Sequence, residues 1–215
     1  MKMKISIAAF LIICIGSFSY SQIRIAPEVG ANLSSYASKY DFNNSTISNN
    51  SKYQLGARVG AILDLGINDH FAIQPGVYYN MARAKDEITF LGATFSETST
   101  VHSLQIPLYF MFRTAGSDEG HLFVGVGPVF DWNFGGSVKG GNSKRDLEFG
   151  NNSSTDDMRP LDFGASATIG FKLEMGAFVR AYYNLGLSNL SPKDNNNNNH
   201  TLRSRSFGLS FGYFL

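Results

Sequence analysis

The side chains in this chain that could do chemistry alternate with apolar ones. Glu28, Arg58, Asp64, Gln74, Arg113, Asp131, Asp162, Lys172 and Arg180 all lie in stretches where every second residue is apolar. Successive strand side chains point to opposite faces, so these residues would share one polar face. Opposite charges confined on such a face must pair or be hydrated. The chemistry on offer is therefore a static lattice of ion pairs or a gated ion path. Folding the first hairpin about its middle brings Glu28 beside Arg58. Folding the chain about Met175 carries Lys172 and Arg180 toward the end where Asp64 lies.

Asp131 and Asp162 stand on neighbouring stretches, and two close carboxylates can hold a cation or share a proton. Neutralisation by Arg159 or a loop lysine is the plainer expectation, so no metal site is expected. A hydrolase would need His, Ser and an acidic residue to converge. His102 with Ser103 is the one candidate, yet adjacent strand residues face opposite sides. His70, His121 and His200 fall elsewhere, and no glycine-rich nucleotide loop or metal-ligand spacing is present. The reading is that the chain is not an enzyme, with no catalytic residue and no cofactor.

Eight stretches carry this alternation: residues 23–33, 53–64, 71–80, 103–113, 121–132, 161–172, 179–187 and 206–215. In the last, Phe207, Leu209, Phe211, Tyr213 and Leu215 form one face and Ser206, Gly208, Ser210 and Gly212 the other, with Phe214 the misfit. Three connections are short, at 66–70, 114–120 and 174–176. Four are long and rich in Asn, Ser and Gly, at 37–52, 83–100, 134–159 and 188–200. Short and long alternate strictly, as periplasmic turns and extracellular loops do in an outer-membrane barrel with an even strand number. The aromatics sort by depth as two interfacial girdles require. Phe71, Phe112, Phe171 and Tyr213 lie near the short turns, and Tyr53, Tyr79 and Trp132 near the long loops.

Composition agrees. Charged residues make up 16% of the 215, and there are 22 Gly and 18 Phe, while mean hydropathy is only −0.09. Apolar residues diluted one for one by inward polar ones give such a balance. A soluble sandwich or lipocalin-like barrel would carry more Lys and Glu on its wet face. Eight strands could not enclose this much apolar bulk.

Met1-Lys2-Met3-Lys4, an apolar run from Ile5 to Phe18, and Ser19 and Ser21 at the −3 and −1 positions read as a signal peptide over residues 1–21. The run is too short to span a membrane as a helix. Residues 22–215 are then one barrel domain without cysteine, since Cys14 leaves with the leader. Ile13 before Cys14 argues against lipidation. Loss of Lys2 and Lys4 turns the formal net charge of +1 into −1, which gives no case for nucleic acid.

Several motifs carry a resemblance to a known family. Gln74-Pro75-Gly76-Val77-Tyr78-Tyr79 resembles the QPG-x-x-Y strand of the PorT-like, Bacteroidetes-type outer-membrane β-barrel family. Pro27-Glu28-Val29-Gly30-Ala31-Asn32, Leu104-Gln105-Ile106-Pro107-Leu108, Gly125-Val126-Gly127-Pro128 and Asp162-Phe163-Gly164 are similar to it in order and spacing, as is the stretch from Tyr182 to Leu190. Gln105 stands where the family usually has an acidic residue, which leaves no carboxylate for an ion pair there. The resemblance implies fold and location, and a few members are implicated in secretion or gliding machinery. The combined expectation is an eight-stranded antiparallel up-and-down barrel in the bacterial outer membrane, with a plugged polar lumen and four extracellular loops. Its partners would be outer-membrane lipid, the barrel-assembly machinery through the C-terminal strand, and a protein at the long loops. A secretion or gliding subunit is the alternative role, with a narrow channel or a hydrolase behind it.

Overall fold

The computed structural model describes residues 23–42, 45–90, 93–116, 118–141, 143–152, 154–192 and 199–215; the leader lies outside them. Ten strands follow in chain order: β1 Ile23–Phe42, β2 Ser45–Asn50, β3 Lys52–Gly66, β4 Phe71–Phe90, β5 Ala93–Arg113, β6 His121–Gly140, β7 Ser143–Asp146, β8 Leu161–Lys172, β9 Ala177–Gly186 and β10 Asn199–Tyr213. Eight of them form a ring, β1-β3-β4-β5-β6-β8-β9-β10, closed by antiparallel pairing of β10 with β1. Closure leaves no open edge at membrane depth, as hydrocarbon demands of any spanning sheet.

The alternation read from the sequence sets the faces. Val126, Phe211 and Leu209 are 62%, 62% and 57% exposed on the outside, with lipid as their natural solvent. Both sets of interfacial aromatics also face outward, among them Phe71 against Phe112 and Tyr53 against Phe207. The short turns lie at one end. In the β8–β9 turn, Gly176 takes a φ of 95°, which only glycine adopts without strain. The start of β1 meets the last residue there, with Leu215 N–H donating to the Ile25 carbonyl.

At the other end the strands keep going. Two of the segments expected to be long loops, 37–52 and 83–100, are largely β-structure among the described residues, as is the first part of a third, 134–146. β4 and β5 stay paired out to Phe90 opposite Ala93, β1 folds back onto β2, and β6 onto β7. β1 has 20 residues, so at about 3.3 Å each it runs about 66 Å, well beyond a bilayer core of about 30 Å. Polar side chains such as Thr98, Thr100 and Ser99 do not oppose strand pairing; they only lack the apolar face by which membrane strands are recognised. Where β2 meets β3, Ser51 absorbs the irregularity. Its hydroxyl accepts from Tyr36 N–H at 2.7 Å, and its carbonyl accepts from the Ser35 hydroxyl at 2.7 Å.

Inside, the ring holds two apolar zones that the polar-lumen expectation lacked. One is a collar near the short turns, made of Ala26, Ile62, Ala72, Tyr78, Tyr109, Met111, Phe123 and Phe178, with Phe214 against it. The other caps the opposite mouth: Val101, Met158 and Leu190 with Tyr36, Leu147, Phe149 and Leu202.

Candidate functional site

The polar side chains between these zones form one connected lumen network. At mid-height Glu28 is the hub. Its carboxylate is ion-paired with Arg58 and lies 3.6 Å from Arg180 Nε. It also accepts from Tyr78 at 2.9 Å and Ser210 at 2.5 Å. Arg58 and Arg180 are each 1% exposed. Hydrogen bonds do not satisfy all their nitrogens, and aromatic faces cover the remainder. Arg58 lies 3.4 Å from the Tyr182 ring centroid and 4.4 Å from that of Tyr78, at the distances of cation–π attraction.

Glycines make those ring positions possible. Gly208 pairs with Tyr182 and Gly60 with Tyr78. A Cβ on Gly208 would sit 2.6 Å from the Tyr182 hydroxyl oxygen, and one on Gly60 would strike the Tyr78 ring. The inward glycines of the sequence are therefore the space into which tyrosines lie across the bore.

Toward the short turns Asp64 is the second hub. Arg113 Nη2 donates to its two oxygens at 2.7 and 2.8 Å, and Arg24 lies 3.7 Å away. Gln74 joins the hubs, donating to Asp64 at 2.9 Å and accepting from Arg180 at 2.8 Å. Arg180 thus reaches mid-lumen instead of the bottom, because its long side chain climbs to Glu28. Lys172 does stay at the bottom, where its ammonium donates to the Glu119 carbonyl at 3.4 Å. Phe214, the misfit of the closing strand, is in inward phase and closes this end against Phe178 at 5.1 Å.

Toward the long-loop end the network changes sign. Asp131 and Asp162 are direct cross-strand partners. Asp131 accepts from Gln105 at 2.9 Å, and Asp162 from Ser204 at 2.5 Å. Among the described residues no cation lies within 4 Å of either carboxylate, Arg159 included; the loop lysine Lys193 lies outside those residues. Arg159 instead ties its backbone N–H to Leu190 at the cap. His102 and Ser103 face opposite sides: His102 bonds the outward Tyr79 hydroxyl at 2.6 Å, while Ser103 is buried inward.

Outside the membrane, the ribbons are tied by exposed contacts. Arg145 donates to both Asp157 oxygens at 2.9 and 2.8 Å, and those bonds hold the Asp157 carboxyl below its usual range. His200 bridges the Ser38 and Ser191 hydroxyls at 2.9 and 2.8 Å and stacks on Tyr40 with ring centroids 4.0 Å apart.

A closed ring of eight strands, apolar outside and polar within, belted by aromatics at two levels, is an outer-membrane β-barrel. The family model for the outer membrane protein beta-barrel domain matches residues 17–192, and the chain belongs to that family, in the bacterial outer membrane. Among solved structures it is similar to the outer membrane protein OprG from Pseudomonas aeruginosa. The two share 10% identity over 92% of this chain and 98% of that one, with a TM-score of 0.51. Other similar structures are Ail of Yersinia pestis, at 11% identity, 88% and 99% coverage and TM-score 0.38, and the protease OmpT from Escherichia coli, at 8%, 93%, 100% and 0.43. No curated protein sequence matches the chain.

Proposed function

We propose that this barrel is a non-conducting, non-catalytic scaffold whose work is done by the β-ribbons it raises outside the cell. The observation that carries the reading is the filled waist of the bore. Arg58, Arg180, Tyr78 and Tyr109, none more than 1% exposed, separate a cavity of about 40 Å³ on the ribbon side from one of about 10 Å³ on the turn side. The smaller space is on the scale of a single water. A guanidinium held by Glu28 and two tyrosine rings is not a moving gate unless all those contacts break together.

Several further points support this role. The opposed faces of His102 and Ser103 leave no hydrolytic pair, and rigid scaffolds commonly carry function at their exposed connections. The nine polar lumen residues read from the sequence then have a structural role, as a plug. The QPG-x-x-Y resemblance supports a place in the PorT-like group, and with it a protein partner at the ribbons. Planar-bilayer recording of the purified barrel tests the reading. No steady conductance is expected, and a stable ion-selective open state would overturn it.

A further inference from the structure

The lower and middle lumen hubs each pair carboxylates with arginines, whereas the upper one does not. Asp131 and Asp162 sit directly opposite each other on β6 and β8, which places their Cβ atoms about 4.5–5.5 Å apart. Asp162 is 4% exposed, and its Oδ1 has no hydrogen-bond partner. The nearby Phe163 and Ser188 N–H groups make their well-aligned hydrogen bonds elsewhere. Phe163 N–H is committed to the Ser188 hydroxyl at 3.0 Å and Ser188 N–H to the Phe163 carbonyl at 3.1 Å. Both carboxylates line the cavity of about 40 Å³, together with Gln105, Ser103, Asn133 and Ser204. Arg205 borders the same cavity but is exposed, and it makes no ion pair with either carboxylate among the described residues. Two buried like charges with an orphaned oxygen need compensation, by a bound cation or by a proton on one of them.

We propose that this cavity is a binding site for a hard divalent cation of the size of Ca²⁺, held between Asp131 and Asp162 beneath the apolar cap. The donors offered are carboxylate, amide and hydroxyl oxygens, with no imidazole or thiolate lining the cavity, which disfavours zinc, copper and nickel. Mg²⁺ requires near-octahedral geometry and retains several waters. A cavity of about 40 Å³ has room for about three waters at about 10–15 Å³ each, so the choice between the ions turns on coordination geometry and not on room. Ca²⁺ accepts an irregular shell of carboxylate, amide and water oxygens, and two carboxylates match its charge. A bound ion would also join β6 and β8 just under the mouth through Asp131 and Asp162, and the bonds these accept from Gln105 and Ser204 extend the tie to β5 and β10. This site goes beyond the scaffold reading, because a plugged barrel could exist with or without it.

The test uses the full mature barrel in detergent, stripped with EDTA and titrated with Ca²⁺ alone by calorimetry. One saturable site per chain is expected, with a raised heat-unfolding midpoint and much weaker binding of Mg²⁺. Asp131→Asn and Asp162→Asn should each weaken Ca²⁺ binding by at least about tenfold, since affinity at such sites follows the ligand charge count. Infrared spectra of the wild type need no variant to fold, and Ca²⁺ should shift a carboxylate band. Absence of saturable binding overturns the proposal. So does binding left unchanged by both substitutions, or a protonated carboxyl band that persists at neutral pH whether or not Ca²⁺ is present.

Discussion

Glu28→Ala should be the most damaging single substitution in the lumen. The carboxylate holds Arg58 directly, faces Arg180 at 3.6 Å, and accepts from Tyr78 at 2.9 Å. Its removal leaves two buried guanidiniums short of a counter-charge, and breaking one buried pair in this way typically costs about 3–5 kcal/mol. The tyrosine faces on Arg58 and the Gln74 carbonyl on Arg180 remain, so the loss should lie within that range and not at twice it. Arg58→Ala should cost less in charge terms, because Glu28 keeps Arg180, Tyr78 and Ser210. The double variant should then fall short of the sum of the two by about 1–3 kcal/mol, the usual coupling of contacting residues. Urea unfolding of the refolded barrel measures this, with Trp132, the sole tryptophan and 48% exposed at the outer girdle, as the fluorescent reporter. At a slope of about 1–3 kcal/mol per molar, Glu28→Ala should lower the midpoint by at least about 1 M. A loss under about 1 kcal/mol, or additivity of the two substitutions, would refute the view that this ion pair holds the plug together.

Ala167→Arg, on the lipid face of β8 opposite Val126, should cost about 2–4 kcal/mol near mid-membrane, while Thr168→Ser on the inward face should cost little. Equal tolerance of Arg at both positions in a folding assay would reverse the assignment of faces. Burial holds the His200 imidazole below its usual 6.5, so the opened segment takes up a proton more readily than the folded one. Stability at this contact is full above pH 6.5 and is lost as pH falls through 6.5 toward the folded value. Hydrogen exchange of residues 36–40 and 200–204, corrected for intrinsic rates, should therefore quicken from pH 7 to 5, and His200→Gln should abolish the dependence; constant protection in the wild type sinks the assignment.

The parts legible in the sequence are those where the solvent imposes a period. Lipid requires an apolar residue at every second position, so the eight spanning strands, their faces and the Glu28–Arg58 neighbourhood follow from counting. Above the membrane nothing enforces that period, and the ribbons built from β2, β7 and the outer halves of β1, β4, β5 and β6 look in sequence like loops. Antiparallel pairing continues there because each strand already has a neighbour in register and needs only backbone hydrogen bonds. The inward face is harder still, because a lumen selects for volume as well as polarity. Phe123, Phe178 and Phe214 all occupy inward phases, and that parity was the available signal for the collar. Arg180 could not be placed by register alone, since its reach to Glu28 and Gln74 is set by side-chain length across the bore. The Asp131–Asp162 contact, by contrast, is a pure register effect and readable from the strands. What sequence could not supply was its missing counter-charge. Arg159 is close in number to Asp162, yet its backbone is drawn to Leu190 by the cap, which packs Met158 beside it over the mouth. The same fold that closes the barrel above therefore leaves two carboxylates beneath it without an arginine ion pair among the described residues.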